Sequence, residues 1–305
     1  MKWSAEPSPD AFQALWSSFE RALRAEGRSP QTLSTYLEAA GQYRAFLMAA
    51  GHPTAPADHQ RRHVEEFIGQ LLSTKSAATA RARFVALKSF YSWALDEGEL
   101  ERSPMERMKA PVVDEPAPEI LTEDELRKLL RACEGRDFES RRDMALIRLY
   151  IDSGSRRSEL AGVTLAGLDL DAGFARITGK GGREEKISFG SKAARDVDRY
   201  LRLRAVHPHA ASPFLWLAQR GPLSSNGVYQ MIKRRAAQAG IERRIWPHLF
   251  RHTFGHMWKA GGGSEEDLMS LGRWRDPKSM RRYGRSAAEE RARAAHRQLS
   301  PGDRL

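Results

Sequence analysis

The residues best suited to chemistry in this 305-residue chain lie in five separated segments. These are Gly154-Ser155-Arg156-Arg157-Ser158-Glu159-Leu160, Gly179-Lys180-Gly181-Gly182, His248-Leu249-Phe250-Arg251-His252, Leu271-Gly272-Arg273-Trp274 and Arg281-Arg282-Tyr283. Cleaving a phosphodiester develops negative charge on the non-bridging oxygens, and a planar guanidinium matches those oxygens with paired hydrogen bonds. Arg251 is one candidate for that work, and Arg156 or its neighbour Arg157 is the other. Tyr283 is a candidate nucleophile; a phenol with an ordinary pKa near ~10 is protonated at neutral pH and needs a base or electrostatic help. His248 can supply either. It stands three residues before Arg251, so on a helix both side chains share one face and can converge on one phosphate. A departing 5′ oxygen needs a proton, and Lys180, on a glycine-rich tip that can reach into a groove, is the candidate general acid. Arg183 and Lys186 are rival cations expected to contact DNA. Glu159 is expected to orient Arg156 or to support the site, not to attack.

Each residue has a plainer reading when taken alone. The arginines could be solvated surface groups, His248 a structural histidine, Lys180 a simple phosphate contact, Trp274 a core aromatic and Tyr283 a half-buried one. His252 keeps a packing role.

What is missing also narrows the chemistry. There is no acidic cluster, no His-Glu-x-x-His run and no glycine-rich nucleotide loop, so neither metal-assisted nor nucleotide hydrolysis has a basis in the sequence. Cys133 is the only cysteine, which excludes an intrachain disulfide framework and a cysteine-ligated zinc site; it falls on an apolar stripe with Leu126, Leu129 and Leu130 and reads as packing. No cofactor or metal is expected, because a phosphotyrosyl link would conserve the energy of the broken bond for rejoining. No stretch approaches the ~18 apolar residues of a membrane span, and the cytoplasm, with the nucleoid, is the expected location. The 50 Lys and Arg against 39 Asp and Glu give a net charge of +11, which favours a polyanionic partner such as nucleic acid.

The elements that must position these residues fall into two parts. Ser8-Pro9 and Ser29-Pro30 are helix starts, and apolar residues at helical spacing mark four helices: Phe12 to Leu23, Tyr36 to Leu47, Val64 to Leu72 and Phe84 to Leu95. A helical N-terminal domain over residues 8–110 is therefore expected. Residues 111–118, rich in proline and acid, read as a linker. Thr122 and Glu125 form a capping box that opens a second domain, residues 119–295. Helices dominate it, but residues 174–178 and 186–189 alternate like strands around the Lys180 turn and predict a β-hairpin. Residues 296–305 form a tail whose Pro301-Gly302 end is expected to fray.

Taken together and in order, the five segments resemble the catalytic boxes of the tyrosine recombinases, the phage integrase family. The first box there reads Gly-x-Arg-x-Ser-Glu-Leu and the central one His-x-x-Arg-His. The last is Leu-Gly-His or Leu-Gly-Trp followed nine residues later by tyrosine, the spacing from Trp274 to Tyr283. The resemblance selects Arg156 over Arg157 by its distance to Ser158-Glu159-Leu160. It implies that Arg156, Lys180, His248, Arg251, Trp274 and Tyr283 are catalytic, and that Trp274 donates its indole N–H where a histidine is commoner. The implied fold is mainly α, with a helical core DNA-binding domain and a mostly helical catalytic domain holding a small β-hairpin or sheet, which together clamp duplex DNA. The implied assembly is a homotetramer on two DNA sites, working through a Holliday junction, with accessory proteins and with the tail docked on a neighbour. Nothing ahead of the first helix is long enough for an arm-site-binding domain, so the simpler Xer- and Cre-like architecture is expected. The rival functions are type IB topoisomerase-like relaxation and DNA binding by an inactive catalytic fold.

Overall fold

A computed structural model describes residues 11–113, 118–179, 184–274 and, beyond these, 276, 277, 292, 296, 297 and 299–304. Lys180, Arg183, Tyr283, the Ser8-Pro9 start and, in the tail, Gln298 and Leu305 lie outside the described residues. The chain divides into two compact units, Met1–Glu115 and Pro116–Leu305.

The first unit is built from α1 (Ala11–Ala25), α2 (Pro30–Ala49), α3 (Arg61–Thr74) and α4 (Ala77–Asp96). Ser29 and Ser76 start α2 and α4 by accepting the N–H three residues on, each at 3.2 Å, which satisfies one of the donors a helix start leaves open. The buried faces carry an aromatic core in which Trp16 and Phe90 lie 4.5 Å apart between ring centres. His59 is buried against this core. A carbonyl can only accept, so its Nε2–H donates to Pro53 O at 3.0 Å and its Nδ1 accepts from the Tyr91 hydroxyl at 2.6 Å. Burial lowers its pKa to about 4, and the ring is neutral at pH 7.

The second unit opens with α5 (Glu123–Arg131), started by the expected capping box: Glu125 N–H donates to Thr122 Oγ1 at 3.2 Å and Thr122 N–H to Glu125 Oε2 at 2.8 Å. Arg243 also donates to Glu125 and, with these bonds, holds its carboxyl down at about 2. Cys133 stands just past α5 instead of on it, yet it is buried in the same core, and burial pushes its thiol up to about 12. Next, α6 (Phe138–Ser153) runs through the middle, with Ala145, Leu146, Leu149 and Tyr150 fully buried and α8 (Ser191–Arg204) and α10 (Pro247–Ala260) packed on it. The fully buried Asp143 is tolerated there because Arg142, Arg234 and Arg235 surround its carboxylate at 2.7–3.1 Å, and a buried charge is stable only when paired.

Three short antiparallel strands, β1 (Leu168–Asp169), β2 (Phe174–Thr178) and β3 (Glu184–Ser188), lie in that order. Ala175 pairs with Ile187 and both are buried, while the next pair, Arg176 and Lys186, faces outward, as the two-residue period of a strand requires. The last strand begins at Glu184, two residues before the expected start. Phe189 is outside the ladder and donates its N–H to Gly173 O at 2.8 Å. Two further strands, β4 (Leu217–Ala218) and β5 (Gly221–Pro222), precede α9 (Ser225–Gln238); two residues each are too few to carry a periodic signal. After α10 comes α11 (Glu265–Gly272). Gly302–Arg304 form a single 3-10 turn where a frayed end was expected. No described helix is long and apolar enough to cross a membrane.

Candidate active site

The site is positioned by two helix ends. α6 stops at Gly154, whose φ of +54° is a left-handed conformation that favours glycine. A Cβ there would also meet the Phe254 ring at 2.7 Å. The chain then turns through Ser155 and Arg156 into α7 (Arg157–Ala161), with Arg156 at its N-cap. Arg156 donates its backbone N–H to Glu159 Oε2 at 2.9 Å, and its guanidinium pairs with Glu159 Oε1. The carboxylate thus starts the short helix and holds the arginine side chain in one step.

Pro247 occupies the first turn of α10, where a missing N–H costs nothing, and the helix projects His248 and Arg251 from one face. Arg251 is only 1% exposed. Its Nη1 donates to Gly154 O at 2.9 Å and its Nη2 to Gly272 O. Those carbonyls end α6 and α11, where a helix dipole favours a cation, and two of the five N–H groups of the guanidinium are enough to fix its plane. The Trp274 ring covers the group, 4.1 Å from ring centre to guanidinium carbon. Gly272 is what allows this: a Cβ on it would fall 1.9 Å from the indole.

Arg156, Glu159, His248, Arg251, Arg273 and Trp274 line one open cavity of about 750 Å³, and Gly179, which precedes Lys180, lies on its rim. Arg157 is absent from this lining and borders a neighbouring cavity of about 710 Å³ with Arg156, Tyr229, Trp246 and His248. His248 is exposed and lines both cavities. Partial desolvation by the packed wall, then the positive charge of Arg251, Arg156 and Arg157, lowers its pKa below the ordinary 6.5. Burial works to raise the pKa of Glu159, but Arg273 and the bonds from Arg156 outweigh it and keep the carboxyl below its usual range. Arg156, Arg251 and Arg273 line the cavity together with three acidic residues, Glu159, Glu185 and Asp276; Arg156 and Arg273 both pair with Glu159, and the guanidinium groups match the paired oxygens of a phosphate.

Lys186 is not among the residues lining the cavity; its ammonium sits 4.3 Å above the Phe174 ring on the outer face of the sheet. The His252 ring centre is 6.3 Å from that of His248. Sequence reasoning missed Arg273. The guanidinium of this residue is 7% exposed and bonds to Glu159 Oε2 at 2.9 Å, Leu271 O at 2.8 Å and Lys186 O at 3.2 Å. The one available signal was a charged residue wedged between Gly272 and Trp274 in an otherwise apolar turn.

The chain matches two known domain families: the phage integrase family over residues 119–290, and the phage integrase N-terminal SAM-like domain over residues 15–98. Tyrosine recombinase XerD of Shewanella oneidensis is 30% identical over 258 residues, which cover 83% of each chain. Tyrosine recombinase XerD of Chlorobaculum tepidum is 34% identical over 244 residues, 77% of this chain and 79% of that one. The fold is shared with XerH site-specific recombinase bound to palindromic difH substrate in a post-cleavage complex (TM-score 0.73, 17% identity, 97% of this chain and 99% of that chain). It is also shared with a lambda integrase tetramer bound to a Holliday junction (TM-score 0.69, 17% identity, 88% and 76%). The chain belongs to the phage integrase family. It is a site-specific recombinase of the tyrosine type, an enzyme that cuts and rejoins DNA strands.

Proposed function

We propose that a DNA phosphate enters the 750 Å³ cavity and is attacked by Tyr283. Arg156 and Arg251 balance the charge that builds on its non-bridging oxygens, and Trp274 packs over Arg251 and donates its indole N–H. The Tyr283 oxygen forms a bond to phosphorus, the bond from phosphorus to the 5′ oxygen breaks, His248 takes the phenol proton and Lys180 supplies one to the departing oxygen. The product is a 3′-phosphotyrosyl link and a free 5′ hydroxyl. Attack by the 5′ hydroxyl of another strand reverses the step and joins new partners, so the cycle needs no external energy. The observation that carries this reading is the convergence of Arg156, His248, Arg251 and Trp274, from three separated segments, on one cavity.

In this reading residues 8–110 form the core DNA-binding domain, 111–118 the linker, 119–295 the catalytic domain and 296–305 a tail that docks on a neighbouring protomer. Arg183 and Lys186 hold the DNA backbone beside the turn. Four protomers act on two duplex sites through a Holliday junction, with accessory proteins setting direction, at the nucleoid. The +11 charge supports a duplex DNA partner. The test is recombination between two copies of a cognate site, mapped from the DNA bound covalently in cells, in the presence of excess chelator. Exchange between the sites is expected. Plasmid relaxation without exchange would favour the topoisomerase-like reading, and DNA binding without cleavage the inactive one.

A further inference from the structure

We propose that Arg273 is the permanent counter-ion of Glu159, a positioning residue that frees Arg156 to turn from the carboxylate to the DNA phosphate. The inference rests on the reading that Arg156 binds that phosphate. Glu159 has two cationic partners that differ in kind. The Arg156 side chain is 45% exposed and stands at the cavity, whereas that of Arg273 is 7% exposed and that of Glu159 is 8% exposed. Arg273 is also tied down on several sides. It donates to Lys186 O on β3, to Leu271 O on α11 and, at 3.3 Å, to Ser155 Oγ, while its Nε lies 3.8 Å from Glu185. Its backbone adopts a left-handed φ of +55° as the cap of α11, unusual for a residue with a side chain.

The consequence is electrostatic. A buried carboxylate that loses its counter-ion is strongly disfavoured. With Arg156 as sole partner, Glu159 would compete with the phosphate for it and hold it back. Because Arg273 stays on Oε2, the Arg156 guanidinium can leave Oε1 for the phosphate without stranding a charge, while the backbone bond from Arg156 N–H to Glu159 keeps the residue in place. The sequence placed Glu159 behind Arg156; Arg273 is what makes that support compatible with catalysis.

A double-mutant cycle read as single-turnover cleavage and DNA dissociation constant tests this. Arg273→Met should slow cleavage at least tenfold with the dissociation constant within about threefold of wild type. Arg273→Lys should recover much of the loss. The decisive variant is Arg273→Met combined with Glu159→Gln, which removes the charge that needed neutralising; it should cleave at the rate of Glu159→Gln alone. Additive losses in the folded double variant, or a wild-type rate for Arg273→Met, would overturn the proposal. If both Met-containing variants failed to fold while Arg273→Lys folded, Arg273 would be structural and the proposal equally wrong. Arg156→Ala serves as the separate control: a wild-type rate for it would remove the underlying reading of the site, whatever the cycle showed.

Discussion

The guanidinium carbon of Arg251 lies over the indole ring of Trp274, 4.1 Å from its centre, so the central and the last of the sequence boxes meet as a single unit. The ring covers the cation on one side while the carbonyls of Gly154 and Gly272 hold its edge. Positioning a guanidinium in advance is worth more to catalysis than supplying one, because no reorganisation is then needed as charge develops.

That contact predicts a split between two substitutions. Trp274→Phe keeps a ring over Arg251 and loses only the indole N–H, a hydrogen bond of about 1 kcal/mol, and should slow cleavage only about fivefold. Trp274→Ala removes it; losing a desolvated cation–π contact costs ~2 kcal/mol, or about 30-fold in rate if the contact is made in the transition state. Single-turnover cleavage of both variants, with thermal unfolding to confirm that each is folded, checks the split. Equal impairment of the two would assign the role to the indole N–H instead.

The lowered pKa of His248 sets a pH dependence. As a base it works when neutral, so cleavage should fall as the pH drops through its folded-state pKa, which lies below 6.5. The charge of Arg157 contributes to that lowering, and the side chain lines only the adjacent cavity. Arg157→Gln should therefore raise the pKa and move the acid limb of the rate profile to higher pH, with the plateau rate changed little. A rate–pH profile for the two proteins checks it, and a limb that stayed in place would mean that another group titrates.

Lys180 makes a claim about the leaving group. Replacing the bridging 5′ oxygen by sulfur gives a leaving group with a pKa near ~8.5, as for a thiol, which departs without a proton. Lys180→Ala should be severely slow on ordinary DNA and near the wild-type rate on sulfur-bridged DNA. Arg156→Ala should stay slow on both. If Lys180→Ala were equally slow on both, the lysine would be a positioning contact and Arg183 or Lys186 the next acid to test.

The sequence made some of this legible and hid the rest for physical reasons. Helices α2 and α5 were readable because Ser29-Pro30 and the Thr122–Glu125 box are local chemistry, satisfied within one turn. The hairpin was readable from its alternation. β1, β4 and β5 were not, since each is only two residues long and is set by tertiary contacts. In the site, spacing along one helix predicted that His248 and Arg251 share a face. It could not predict that Arg251 would be buried beneath Trp274, a contact between residues 23 positions apart (274 against 251). Arg273 was missed for the same reason. Its partners Ser155, Glu159 and Lys186 come from other elements, and no local pattern encodes an ion pair that only the fold brings together.

The central claim is that Tyr283 is the atom donor of the covalent link, and the catalytic unit holds few rivals among the described residues. Tyr150 and Tyr200 are fully buried, with burial raising the pKa of both phenols, that of Tyr200 to about 12, whereas Tyr229 lines the neighbouring cavity. The direct measurement is trapping of protein on a nicked cognate site, in excess chelator, followed by identification of the DNA-linked peptide. Wild-type protein should give an adduct on Tyr283, and Tyr283→Phe should bind the same DNA with unchanged affinity and give none. An adduct formed by Tyr283→Phe, or a wild-type adduct mapping to Tyr229, would contradict the account.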